Sequence, residues 1–179
     1  MLPLSTEFAL LGFLRRQSMH GYEIHQQLSD TTGLGLVWRL KQSQLYALLA
    51  KLEREGYVTT TVEYQDTRPP RKMFELTEAG RQAFLEWMER PVPQGRKLRL
   101  DFLAKFYFAQ LEGPEVALRL IEGQRVVCRD WLRQQTEETD LLRQSRPYDW
   151  LVHKFRMGQI EAMLAWLDTC QEALAMAAT

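Results

Sequence analysis

Leu45, Leu48, Leu49 and Leu52 fall at i, i+3, i+4 and i+7, a spacing that predicts an α-helix over residues 43–55 with one narrow leucine stripe turned inward. At about 100° per residue, Ser43, Ala47, Ala50 and Arg54 point the other way, with Gln44, Tyr46 and Lys51 on the flanks. Small residues bordered by hydrogen-bonding and basic ones allow close approach to a polar, negative surface. Ser43 suits the N-cap and Gly56 the left-handed position that ends a helix.

The segments before and after place this helix in a larger pattern. Phe8, Leu11 and Leu14 recur every three residues, and Leu10 and Phe13 widen the face, predicting a buried helix over 5–16 capped by Ser5 or Thr6. The pattern breaks over 17–21. A second helix follows over 21–30 with Tyr22, Ile24 and Leu28 inward; 31–35 is a loop, and 36–40 a brief strand or extended link. Beyond Gly56, residues 57–64 are β-branched and aromatic, a strand with Val58, Val62 and Tyr64 on one face. Residues 65–70, with Asp66, Thr67, Pro69 and Pro70, form a turn, and 71–76 return. The expected fold is mainly α: a winged helix-turn-helix with a two-stranded wing, its third helix fitted to a major groove and its hairpin to the neighbouring backbone or minor groove.

Thr77 caps a fourth helix over 78–89 with Ala83, Phe84, Trp87 and Met88 on its apolar side, and the Pro/Gly stretch 90–95 is the domain boundary. This gives a DNA-binding domain over 1–90 and an all-helical dimerisation domain over 97–179. In the latter, one helix covers 97–110, Pro114 opens a long one to about Leu142, and a last one runs from Tyr148 or Asp149 to about Ala175. Ile160, Met163, Leu167, Cys170 and Leu174 follow 3-4-3-4 spacing, a coiled-coil seam, and Leu120, Val127 and Trp131 form a comparable stripe. Such helices pair with each other or with a second copy. A homodimer is favoured, because one winged helix reads only a half-site.

Composition narrows the class. With 179 residues, 45% hydrophobic and 26% charged, the chain is globular, and no apolar run approaches the roughly 20 residues that cross a bilayer. The first five residues lack the blocks of a signal peptide, so a cytoplasmic location and no membrane contact are expected. Cys128 and Cys170 stand far apart and indicate neither a disulfide framework nor a zinc knuckle. Net charge is zero, with 23 basic and 23 acidic residues, yet Arg39, Lys41 and Lys51 fall in one acid-free stretch and Arg68, Arg71 and Lys72 in another. The positive charge is local, as a docking strip for double-stranded DNA requires.

Within that strip Gln44 can pair with adenine, Ser43 and Tyr46 can reach phosphate, and Lys51 can contact phosphate or guanine. Tyr46 can instead pack beneath the wing. Arg39 and Lys41 precede the helix and face the backbone, whereas Arg68 and Arg71 flank the wing turn, where an arginine can enter a narrow minor groove. Trp38 and Trp87 are candidates for an aromatic ligand wall, with core packing as the alternative. Catalysis finds no support: His20 and His25 are five apart and share no helix face, Asp149 and His153 form a lone pair, and no phosphate loop, dinucleotide fingerprint or nucleophile elbow occurs. No enzyme activity, cofactor or metal is expected.

The segments 20–24 (HGYEI), 38–46 (WRLKQSQLY), 49–58 (LAKLEREGYV), 71–74 (RKMF) and 76–81 (LTEAGR) resemble the PadR family of bacterial transcriptional regulators. The tail, from KLRL at 97–100 through FLAKFYF at 102–108 to WLD at 166–168, is similar to the long-tailed branch that includes the virulence regulator AphA. The resemblance covers nearly the whole chain and implies a dimeric winged-helix DNA-binding protein whose C-terminal helices build the dimer. It also implies a repressor released by a small aromatic effector, although the AphA-like branch includes an activator. Gln44 and Ala47 stand where many members carry Gly and Pro, and Pro69-Pro70 where a Gly-rich tip is common, which implies a stiffer wing. The rival expectation is a ligand- or protein-binding dimer whose winged helix touches no DNA, and the zero net charge favours it.

Overall fold

The computed structural model describes residues 5–65, 68–139 and 142–177. Helix α1 (Ser5–Phe13) is buried along its length from Glu7 to Phe13, because it is apolar on almost every side and α3, α4 and α5 pack around it. The expected caps, Ser5 and Thr6, have side chains outside the described residues. Strand β1 (Met19–His20) precedes α2 (Gly21–Ser29), a 3₁₀ turn covers Gly33–Leu36, and an extended link leads into α3 (Gln42–Arg54). The link at 36–40 therefore contains no strand.

Helix α3 buries Leu45, Leu49 and Leu52 completely and Leu48 in part, as the leucine stripe predicts. Its end is a hydrogen-bonded reversal at Gly56, whose φ of 78° a side chain would resist. Gly56 N–H donates to the Glu53 carbonyl at 3.1 Å and Tyr57 N–H to the Leu52 carbonyl at 2.9 Å, closing a Schellman motif.

Strands β2 (Val58–Gln65) and β3 (Arg68–Leu76) form the hairpin, and β1 pairs with the outer side of β3 through Met19↔Phe74 and His20↔Met73. The sheet thus has three strands in the order β1-β3-β2, one more than expected. The expected turn at Asp66 and Thr67 lies outside the described residues. Strand β3 starts at Arg68, so both prolines belong to it; the register slips between Glu63 and Gln65, and β1 does not reach this end. Missing N–H groups do least harm at such an irregular edge. Val58 is buried, but Val62 is 46% exposed, so the expected apolar face holds only near the base of the hairpin.

Thr77 caps α4 (Glu78–Glu89): its hydroxyl oxygen accepts from Gly80 N–H at 3.0 Å and its hydroxyl donates to the Gly56 carbonyl at 2.8 Å. After the linker come α5 (Gly95–Glu112), α6 (Pro114–Thr139) and α7 (Pro147–Ala177). Contacts such as Arg125 with Asp168 and His153 with Gln135 show that α6 and α7 run antiparallel, so the α7 seam residues Ile160, Leu167 and Cys170 are buried within the chain. Helix α5 packs back on α1 and α4, with Phe108 edge-on to Phe13 at 5.4 Å and to Phe84 at 5.5 Å. The linker is itself fixed: buried Gln124 accepts from Val92 N–H at 2.6 Å and donates to its carbonyl at 3.2 Å. Among the described residues no helix is long and apolar enough to cross a membrane.

Candidate nucleic-acid interface

The leucines that anchor α3 leave Ser43, Gln44, Tyr46, Ala47 and Arg54 exposed on its outer side, with Ala50 and Lys51 half-buried at the margin. Ser43 is not the N-cap. Lys41 occupies that position, and its backbone N–H donates to the Gln44 side-chain oxygen at 3.1 Å, so Gln44 satisfies an orphan donor while standing on the exposed surface. Ser43 then lies in the first turn. Arg39 is exposed before the helix, its Nε donating to the Gly35 carbonyl at 3.4 Å.

Tyr46 does not stand alone. A Cβ built on Gly21 would come within 2.7 Å of the Tyr46 ring, so the ring lies against the start of α2 while the residue stays 38% exposed. Next to it is a residue the helical pattern turned inward. Tyr22 is 43% exposed, stacked on His20 at 5.7 Å, with the Arg71 guanidinium 5.3 Å over its ring. The stack joins α2 to the hairpin, since the His20 ring contacts the Lys72 carbonyl at 3.1 Å and Glu63 at 3.4 Å. The start of α2, the outer side of α3 and the base of the hairpin therefore form one surface. Sequence reasoning turned Tyr22 inward and placed Arg54 on the outer face without counting it among the DNA contacts; Gly21 is what lets the Tyr46 ring approach α2. Arg68 opens β3, and its side chain lies outside the described residues.

Lys51 is paired within the chain. Its Nζ lies 2.8 Å from both carboxylate oxygens of Glu7, which is 3% exposed, and 3.8 Å from Glu55. The hydrogen bond that Lys51 donates to Glu7 raises the Lys51 pKa above its usual value. The charge expected on the groove side is held by α1.

The two ligand candidates are core residues. Trp38 is 6% exposed; Trp87 is 8% exposed, stacked on Phe8 at 6.4 Å, with the Lys105 ammonium 5.3 Å over its ring. Neither lines the two cavities described. One, of about 460 Å³, lies where α6 meets α7, beside Arg143, Trp150 and Lys154. The other, of about 350 Å³, lies between α1 and α5, beside Arg16, Gln17, Tyr107 and Phe108.

Three helices, a hairpin and an exposed third-helix face braced by leucines define a winged helix-turn-helix protein with a helical tail. Residues 10–86 match the model of the Transcriptional regulator PadR-like family. It is 33% identical over 118 residues to the Negative transcriptional regulator PadR of Bacillus subtilis (strain 168), a match covering 66% of this chain and 64%, slightly under two thirds, of that relative. It is 25% identical over 182 residues to the Probable transcriptional regulator Rv1176c of Mycobacterium tuberculosis, covering 93% of this chain and 95% of the relative. Among solved structures it resembles Bacillus subtilis PadR in complex with operator DNA, with 26% identity, 94% of this chain and 98% of the other covered, and a TM-score of 0.48. For Bacillus subtilis PadR in complex with p-coumaric acid the identity is 25%, each chain is 96% covered, and the TM-score is 0.41.

Proposed function

We propose that this protein is a cytoplasmic, sequence-specific DNA-binding transcriptional regulator, a repressor that acts as a homodimer on a pseudo-palindromic operator. The observation that carries the proposal is the continuous outer surface of α3, the start of α2 and the hairpin base, polar and lined by Arg39, Lys41, Arg54 and Arg71. Ser43, Gln44 and Tyr46 reach base edges or phosphates, Arg39 and Lys41 the backbone before the helix, and Arg71 with Arg68 the groove beside the hairpin. The division into a DNA-binding part over 1–90 and a dimerising part over 97–179 belongs to the same proposal. Repression follows the negative regulator of Bacillus subtilis that the chain resembles.

Dimerisation is supported by the first half of α7, where Tyr148, Leu151 and Phe155 are 76%, 57% and 67% exposed at i, i+3 and i+7. A small aromatic effector fits the cleft between α1 and α5, which offers the Tyr107 and Phe108 rings and the Arg16 cation, better than it fits the packed surroundings of Trp38 and Trp87.

The test is selection of bound duplexes from a random library by the whole protein. The expected product is a two-fold-related pair of half-sites about 34 Å apart, bound with an affinity that falls steeply with salt. No selected sequence and no salt dependence would overturn the proposal in favour of a dimer whose winged helix contacts a ligand or protein.

A further inference from the structure

Glu7 is a carboxylate in an apolar helix, 3% exposed, and such a group is tolerated only when paired. Its partner comes from α3. Both Glu7 oxygens lie 2.8 Å from Lys51 Nζ, and Glu55, one turn beyond Lys51, closes the outer side at 3.8 Å. With two carboxylates around one ammonium, this spot offers a phosphate no net attraction. Arg39, Lys41 and Arg54 differ: among the described residues none of them is within ion-pair distance of a carboxylate. The pair also bridges α1 and α3; apolar contacts permit sliding and rotation, whereas two short bonds to one nitrogen restrict the angle between the helices. Helix α1 is in turn held by α4 and α5. Glu7 therefore ties the angle of α3 to the body of the molecule.

We propose that Glu7 and Lys51 are positioning residues for operator recognition: the pair sets the rotation at which α3 presents Ser43, Gln44 and Tyr46, and Lys51 itself contacts no phosphate. This rests on the DNA-binding reading above. Base readout needs that angle, while backbone attraction is tolerant of it, so the pair governs the ratio of specific to non-specific affinity.

The experiment is a double-mutant cycle with Lys51→Met, Glu7→Gln and the double variant, titrated by fluorescence anisotropy against the selected operator and a random duplex at several salt concentrations. A melting curve for each variant establishes that it is folded at the assay temperature. Each single variant is expected to lose roughly ten-fold in operator affinity, with the double variant losing no more than either. Lys51→Met should leave the random-duplex affinity and the salt slope as in the wild type. Glu7→Gln, which releases the Lys51 ammonium, should raise random-duplex affinity while operator affinity falls. The inference is overturned if Lys51→Met lowers the slope of log affinity against log salt by about 0.9, the share of one phosphate, or if the two losses add. It is equally overturned if Glu7→Gln tightens the operator complex, or if neither single variant changes operator affinity. Should Lys51→Met be too unstable to titrate, the double variant, which leaves no buried charge, carries the salt-slope measurement against the wild type, and a slope lower by about 0.9 overturns the inference. Wild-type protein that selects no sequence overturns the DNA-binding reading itself, an outcome distinct from any of these.

Discussion

Burial holds the Lys105 ammonium down at about 8, against 10.5 for a free lysine, with Asp101 pulling it up and Arg90 pushing it further down. It is 4% exposed and donates to the Arg90 carbonyl at 2.5 Å. From about 8 to 10.5 the unfolded chain therefore binds more protons at this site than the folded one, and stability rises with pH. Burial also raises the thiols of Cys128 and Cys170, the latter to about 11 against 9.0, so as pH nears and passes 9.0 unfolded thiols lose their protons first and stability falls. The two effects oppose each other between pH 8 and 9, where Lys105 adds about 1 kcal/mol and the two thiols remove about 0.7 kcal/mol. Urea titrations over that range should show unfolding free energy nearly flat, and Lys105→Met should turn it into a fall of about 0.7 kcal/mol. At this scale the sequence was legible for apolar residues and less so for polar ones. Leu45, Leu49 and Leu52 went where spacing put them, but spacing ranks Tyr22 with Ile24 and Leu28 and is blind to the Arg71 and His20 that hold it outside. Lys51 was read as a groove cation because Glu7, its partner, is 44 residues away in the chain.

Gln124 shows how elements are joined. Its amide supplies both hydrogen bonds of the Val92 backbone at the centre of the linker, and all of these groups are buried. Gln124→Leu keeps the volume and strands a buried N–H and C=O, and should destabilise the fold by about 1–3 kcal/mol, measured by thermal or urea unfolding. The Pro/Gly composition of 90–95 correctly marked the break between α4 and α5, yet composition carries no sign that an α6 side chain would fix it. The strands followed the same rule. Residues 57–64 announced β2 through β-branched and aromatic side chains, but β1 is two residues long, too short for any period, and exists because β3 offers a free edge. The α7 seam was legible as a seam; its partner was not, since the same 3-4 spacing serves α6 in the chain or a second copy equally well.

For the molecule as a whole, an even balance of 23 cations and 23 anions hides a division of labour. Acids lock cations in place at Glu7–Lys51, Arg15–Glu112 and Arg125–Asp168, while Arg39, Lys41 and Arg54 stay outside such pairs among the described residues. The proposed dimer makes its own prediction. Phe155→Glu places a charge in the exposed stripe of α7 without touching the core, so sedimentation should shift from dimer to monomer, and operator affinity should fall by at least about ten-fold as the second half-site is lost, while the melting temperature of the separated chain is retained. Helix α7, with 31 residues, is a rod about 46 Å long. One full helical repeat of B-form duplex measures about 34 Å. In the proposed dimer, a rod of this length exceeds the spacing of consecutive grooves on one side of the double helix.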